Sequence, residues 1–243
     1  MQGFFKTAWM ILLSFASCSL ANGHVEAQHY RQFWLWGNIQ TRTYLSNATE
    51  LYILQGEVKF LRSEQHSQLI PQGIGLRSFP HQQKVWLVFR TTSLNWQTDT
   101  TQQVIQRLQQ WKNAGNQIIG LQIDFDSGTR NLGQYANFLV QLRQQLPKSY
   151  RLSITGLLDW TNHQDPLTLT KLQQSVDEIV LQSYQGRHTI ENYAQYIQRL
   201  KILSIPFKLG LVEHGTWQPP SGLESNPNFL GYVVFLLPKK FGK

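Results

Sequence analysis

Apolar residues in this chain gather into short runs that end on polar groups. Past the N-terminal segment the runs read "FWLWGNI" (33–39), "LYILQGEV" (51–58), "KVWLVFRT" (84–91), "IIGLQIDFD" (118–126), "RLSITGLLDW" (151–160), "EIVLQSYQG" (178–186), "FKLGLVEHG" (207–215) and "LGYVVFLL" (230–237). Each is rich in β-branched and aromatic residues and short enough for a strand. Between the middle runs the period changes. Val104, Ile105, Leu108 and Trp111 fall on one helical face, as do Tyr135, Leu139, Leu142 and Leu146, and Ile190, Tyr193, Ile197 and Leu200. Asp99 with Gln102, and Asn131 with Gln134, have capping-box spacing, and Gly115 and Pro147 close the first two helices.

Strands alternating with helices over about 210 residues predict parallel βα units, and eight such strands fit a closed α/β barrel of the (β/α)8 TIM type at the short end of its size range. The alternative is an open doubly wound sheet. Polar residues decide between them: Glu57, Arg90, Asp124, Asp126, Asp159, Tyr184, Glu213 and His214 sit at or near the C-terminal ends of successive runs. A barrel brings those ends to one mouth, whereas an open sheet scatters them. Residues 40–50 are too few for a full helix, and 59–83 hold Pro71, Gly73, Gly75 and Pro80, so the barrel is expected to lack at least one standard helix. No internal repeat or flexible linker divides the chain.

The 243 residues are 41% apolar and 12% aromatic, enough for a substantial core in one domain. Twenty-two basic against fourteen acidic residues give a net charge of +8, which suits an acidic polysaccharide, a nucleic acid or an anionic membrane surface, or serves solubility alone. Beyond "PKKFGK" the basic residues form no stripe, so nucleic acid is not an expected partner. The N-terminus carries a free amine and Lys6, then an apolar stretch from Thr7 to Ala21, then Val25 and Ala27 at small-residue positions. That is the pattern of a signal peptide over residues 1–27, leaving a mature barrel domain from 28 to 243 in the periplasm or outside the cell. The apolar stretch falls short of the roughly 20 residues of a membrane span. A second reading takes "FASC" as similar to a bacterial lipobox, with Cys18 as a lipid anchor, although Phe15 stands where such boxes usually carry Leu. Cys18 is the only cysteine, so no disulfide is expected.

The segment "GLQIDFDSG" (120–128) carries the candidate chemistry. Asp124 and Asp126 are two apart, so a strand turns both to the same face. Adjacent carboxyls split one another's pKa values, giving one protonated and one ionised group, the pair that glycoside hydrolysis needs. The competing structural role pairs Asp124 with Arg90 or a backbone amide and lets Asp126 cap the loop "SGTRN". Glu57 or Asp159 could supply a further carboxylate across the mouth, or be a solvated loop charge and a cap respectively. Only one of Glu213 and His214 can point inward, and His214 reads as a structural histidine. Trp34, Trp36 and Trp86 suit the core or barrel interior, while Trp160 and Trp217, beside polar residues at strand ends, are candidate platforms for sugar rings. The Asp-x-Asp run with His163, His188 and His214 offers donors of the kind a divalent ion takes, but no His-x-x-x-His or cysteine pair accompanies it. No phosphate-binding loop or dinucleotide fingerprint is present, and neither metal nor cofactor is expected.

The runs "FWLW", "LYILQGEV", "VWLVFR", "QIDFD" and "LSITGLLDW" resemble a group of secreted bacterial proteins, domain-of-unknown-function family 3142, over most of the mature chain. The fourth run is in turn similar to the Asp-Gly-x-Asp-x-Asp-x-Glu strand of the chitinase-type glycoside hydrolases of family eighteen. Laid on Ile119 to Asp126, Gly120 and Asp124 agree, Ile119 and Gln122 replace two acids, and Asp126 stands in place of the proton-donating Glu. The resemblance implies a (β/α)8 barrel in which Asp126 is the general acid, Asp124 orients it, and Tyr184 helps hold the substrate. Glu57, Arg90, Asp159, Trp160, Glu213 and Trp217 are then candidate substrate contacts. The expected activity is an exported glycosidase acting on a polysaccharide or oligosaccharide, an acidic one being favoured by the net charge. The alternative is a carbohydrate-binding barrel of the envelope that has lost the Glu and with it the catalysis.

Overall fold

Eight parallel strands close into a ring in the computed structural model, which describes residues 23–37, 42–162, 165–202 and 204–237. They are β1 (Gln32–Leu35), β2 (Glu50–Leu61), β3 (Lys84–Thr91), β4 (Gln117–Asp124), β5 (Arg151–Leu157), β6 (Glu178–Gln182), β7 (Phe207–Val212) and β8 (Phe229–Phe235). Each pairs in parallel with the next, and β8 returns to β1, so the ring has no open edge. This is the (β/α)8 barrel that the alternation of runs predicts, and it excludes the open sheet.

The two-residue period of the strands divides the side chains between two cores. Outward-facing Phe33, Leu51, Leu87, Ile123, Ile154 and Leu209 join the large cluster beneath the helices, whereas Trp34, Tyr52, Trp86, Val88, Val180 and Val233 fill the barrel itself. Glycines make room for the interior indoles. A Cβ on Gly120 would stand 2.5 Å from Trp86, and one on Gly210 would stand 2.6 Å from Trp34. At the floor, the N-terminal strand ends bring together Glu50, Glu178 and Lys208. Lys208 Nζ lies 2.7 Å from Glu50 and 3.3 Å from Glu178, and it also donates to the Tyr52 hydroxyl at 2.7 Å. Tyr52 donates to Glu178, Ser153 to the same carboxylate, Gln122 to Ser153, and Trp34 to Gln122. A continuous chain of bonds thus satisfies polar groups that the dry interior would otherwise penalise heavily. Burial alone would raise the Glu50 pKa, but Lys208 beside it holds it below the ordinary carboxylate value.

The helices cover only part of the ring. α1 (Thr98–Asn113) buries Val104, Leu108 and Trp111. α2 (Leu132–Gln145) buries Tyr135, Leu139 and Leu142. α3 (Pro166–Ser175) starts with Pro166 in its first turn behind Asp165, whose carboxylate accepts the Leu167 and Thr168 N–H groups. α4 (Tyr193–Gln198) is short. The expected cap positions shift slightly. Gln97, not Asp99, precedes α1, and Asp99 lies inside the first turn, where a carboxylate opposes the positive end of the helix dipole and accepts the Thr100 N–H. Asn131 does precede α2 but makes no side-chain cap. Gly115, with φ of +87°, ends α1 as expected.

Elsewhere the standard helices are replaced. A 3-10 turn, Thr43–Asn47, joins β1 to β2. The upper end of β2 pairs antiparallel with His66–Pro71 to form an arm, and an irregular stretch returns to β3. Between β7 and β8 the described residues form no helix. That flank carries Thr216–Trp217, paired antiparallel with Gly23–His24 from the start of the described chain. Most of the expected signal segment, with Cys18, lies outside the described residues, but Val25 and Ala27 are 1% and 4% exposed and belong to the outer core. Among the described residues, no helix is long and apolar enough to cross a membrane.

Candidate functional site

Parallel closure places the C-terminal ends of β3, β4, β5 and β6 side by side, and five of the predicted site residues, Arg90, Asp124, Asp126, Asp159 and Tyr184, meet there. Asp124, the last residue of β4, is 3% exposed, while Asp126, just past the strand end, has a side chain that is 65% exposed. Arg90, near the end of β3, spans the two, with Nε 3.9 Å from Asp124 Oδ2 and Nη2 3.8 Å from Asp126 Oδ2. Thr155 from β5 donates its hydroxyl to Asp124 Oδ1 at 2.9 Å. Burial pushes the Asp124 carboxyl up from 3.8 to about 6. The Thr155 hydrogen bond and Arg90 oppose that rise, and the charge of Asp126 adds to it. Asp124 therefore keeps its proton into the weakly acidic range, chiefly because burial penalises its charged form.

Tyr184 follows β6. Its ring stacks on Phe235 at 5.7 Å and meets Trp34 edge-on at 6.5 Å. Burial first, and then the charges of Asp124 and Asp126, raise its hydroxyl well above the ordinary phenol value, so it stays a hydrogen-bond donor at neutral pH. Trp36 lies beneath the Arg90 guanidinium at 6.0 Å and meets Phe235 edge-on at 5.3 Å. Beside these residues a cavity of about 510 Å³ opens on the β4 to β6 side of the mouth, lined by Asp126, Asp159, Gln182, Tyr184, Ile190 and Tyr196 among others. Its size and its mixture of apolar walls with a few polar groups suit a small ligand. Two polar atoms at the mouth, Asp159 Oδ1 and Trp36 Nε1, are buried without a hydrogen-bond partner among the described residues.

The remaining expected contacts lie elsewhere or are engaged. Glu57 stands at the base of the arm, 3.0 Å from Lys59 and accepting from Gln72 at 2.9 Å; those partners hold its pKa down although burial opposes them. Glu213 is buried in an ion pair with Arg42 and accepts the Leu237 N–H at 2.9 Å, which makes it a structural clamp rather than a substrate contact. His214 points its side chain to solvent from a backbone with φ of +64°. The two proposed sugar platforms are corrected by their burial. Trp160 is 1% exposed, because the 3-10 turn Leu158–Asn162 folds it inward to donate to the Ser127 carbonyl at 2.7 Å. Trp217 is 6% exposed, stacked on Tyr193 at 4.7 Å. His163 lies outside the described residues, and among those described no cluster of three or more His, Cys, Asp or Glu residues is arranged to hold a metal.

Three mouth residues were not singled out as site residues from the sequence: Thr155, Trp36 and Phe235. Thr155 could have been found, since it shares inward parity with Ser153 on the strand next to "QIDFD". Trp36 and Phe235 could not, because only closure of β8 on β1 brings them together.

A family model described as "Domain of unknown function (DUF3142)" matches residues 86–211, the stretch from within β3 to within β7 that contains Arg90, both aspartates and Tyr184. Among curated proteins, none matches the chain by sequence. Among solved structures, the chain is similar to a tamarind chitinase-like lectin, with 10% identity over 85% of this chain and 94% of that one and a TM-score of 0.50. It is also similar to the chitinase domain of the Clostridium difficile spore coat protein CotE, with 13% identity over 82% of this chain and 68% of that one and a TM-score of 0.49. A third is the Bacillus cereus spore cortex-lytic enzyme SleL, with 18% identity, 74% coverage of this chain and a TM-score of 0.46. The chain spans about half the length of SleL, 49%. At these identities the likeness is one of fold.

Proposed function

Because this chain belongs to the DUF3142 family and folds as a barrel of the chitinase-like kind, we propose that it is an exported glycoside-hydrolase-like protein that engages a polysaccharide in the groove beside Asp126. The observation that carries this reading is the carboxyl pair at the mouth. Asp124 is buried and holds a proton up to about pH 6, while Asp126 reaches into a cavity of sugar-binding size. A sugar seated over Asp126 would exclude water from it and bring its carboxyl within reach of the glycosidic oxygen that a proton donor must contact. Asp124, fixed by Thr155, would supply charge beneath the reacting centre, and the protonated Tyr184 hydroxyl would donate to a substrate oxygen. Asp159, on the wall of the same cavity, adds a further carboxylate acceptor for ring substituents. The groove itself is lined by carboxylates, with Arg90 their nearby cation, so a neutral or amino-sugar polymer suits it better than the acidic polysaccharide suggested by net charge.

A binding barrel without turnover is the second reading. It is favoured by one observation: Asp126 is one methylene shorter than the Glu of the resembling enzymes and mostly solvent-exposed, and a displacement near 1 Å can cost about a hundredfold in rate. A panel of soluble neutral, amino-sugar and uronic-acid polysaccharides separates the two. New reducing ends with the wild-type protein, reduced at least about a hundredfold in Asp126→Asn at unchanged Tm, are expected for the hydrolase. Binding without new reducing ends would remove the enzyme and leave the lectin-like protein, and neither binding nor cleavage across the panel would remove both.

A further inference from the structure

The start of the described chain is built into the barrel. Gly23 and His24 pair antiparallel with Trp217 and Thr216. Val25 N–H donates to the Gly215 carbonyl at 2.8 Å, and the His214 N–H donates to the Val25 carbonyl at 3.0 Å. The His24 ring nitrogen Nδ1 lies 3.1 Å from the His214 carbonyl. Val25 and Ala27 are buried in the outer core, on the β7 to β8 flank where the described residues supply no helix. The segment also helps to hold a strained turn in place. His214 holds a left-handed backbone, φ of +64°, that non-glycine residues rarely adopt, and surrounding structure must hold it there. The neighbouring Glu213 anchors Arg42 and the Leu237 N–H.

A leader removed after Ala27 would take this brace with it: the strand pairing, both buried side chains and the backbone partner of His214. The sequence offers an earlier cut. The apolar stretch ends at Leu20 and Ala21, and Ser19 and Ala21 are the small residues that a signal peptidase reads three and one positions before the bond it cleaves. We propose that the chain is processed between Ala21 and Asn22, and that residues 23–27 remain as a permanent strap over the β7 to β8 flank. The step is a hydrolysis: water adds across the Ala21–Asn22 peptide bond, leaving a carboxylate on Ala21 and a free amine on Asn22, with the host's signal peptidase as catalyst. This replaces the cut after Ala27 expected from composition alone, and it rests on the export reading.

The test is to express the full chain in a bacterium with an intact export pathway and measure the mature mass and N-terminal peptide. Asn22 first is expected, and Ala21→Leu should leave the precursor uncut. A mature protein starting at Gln28, a diacylglycerol-modified Cys18, or normal processing of Ala21→Leu would each overturn the proposal. An intact wild-type chain retained in the cytoplasm would overturn export itself, a distinguishable failure. A second measurement needs no export. Of two leaderless chains, one from Asn22 and one from Gln28, the shorter should melt at least about 5 °C lower or fail to fold. Equal melting would show that the strap does not brace the barrel.

Discussion

Neutralising Asp124 should make this protein more stable, and the gain should depend on pH. The folded carboxyl titrates at about 6 against 3.8 when unperturbed, so between those values the folded state holds a proton that the unfolded chain has released. Stability therefore falls as pH rises through that window, and the full penalty applies above about pH 6. A gap of roughly two pK units corresponds to about 3 kcal/mol. Asp124→Asn cannot ionise, is nearly isosteric, and can still accept the Thr155 hydroxyl. The value of about 6 already includes the opposing pull of Arg90, whose side chain is 44% exposed and keeps Asp126 at 3.8 Å, so removing it adds little further cost. The net expectation is a gain of about 2 to 3 kcal/mol at pH 7.5, a Tm rise of about 5 to 10 °C, shrinking towards zero near pH 4. Urea titrations of both proteins at pH 4, 5.5 and 7.5 measure it. An Asn variant less stable than wild type at pH 7.5, or one whose gain is the same at every pH, would refute the argument and make Asp124 a structural ion-pair member. A carboxylate that the fold carries at a loss is what a functional site looks like energetically.

Two further substitutions probe the interior that supports the mouth. Lys208→Met leaves Glu50 and Glu178 together on the barrel floor without their cation, and should cost about 3 to 5 kcal/mol at pH 7.5. Because Lys208 holds the Glu50 pKa down, the wild-type advantage is present above the ordinary carboxylate range and fades as pH falls through the lowered value, so the Tm gap should narrow on acidification; a gap that widens would contradict the floor network. Gly120→Ala places a Cβ 2.2 Å from the Arg151 carbonyl oxygen and 2.5 Å from Trp86, and should cost about 3 kcal/mol with an altered near-ultraviolet circular dichroism from the indole. Wild-type stability and spectrum together would show that β4 and β5 are not this close.

The barrel was legible because its strands are buried on both faces and so stand out as apolar runs; "KVWLVFRT" coincides with β3 from Lys84 to Thr91. The run 178–186 outlasts its strand, because Tyr184 and Gln185 leave the ring to form a small hairpin with His188 and Thr189. The polar ends marked the mouth, but not which groups were free: Glu57 and Glu213 have partners brought from 72 and 42 respectively. Trp160 and Trp217 looked like surface aromatics beside polar residues, yet a 3-10 turn folds the first inward and Tyr193 covers the second. The floor network was invisible for the opposite reason. Glu50, Glu178 and Lys208 sit at the starts of strands, where a charge in sequence reads as a solvated boundary, and only ring closure converts three boundaries into one buried cluster.

Closure also gives the ring a direction in time. β1 and β8 are joined by the short register Phe33 with Val234 and Trp34 with Phe235, whereas β2 and β3 run together from Glu50 to Val58. The seam must bring together positions about 200 residues apart, and the chain entropy of closing such a loop is on the order of 5 kcal/mol, while neighbouring strands close much shorter loops. It is thus the last joint for a folding chain to make and the first from which amide protons should escape. Arg42 takes on a different character in that light. From the segment following β1 it reaches the Leu237 carbonyl at 2.6 Å, just beyond β8, and the Glu213 carboxylate after β7. It fastens the two ends of the ring across their weakest joint, so the lifetime of the closed barrel, rather than its equilibrium population of secondary structure, is the property most exposed to its loss.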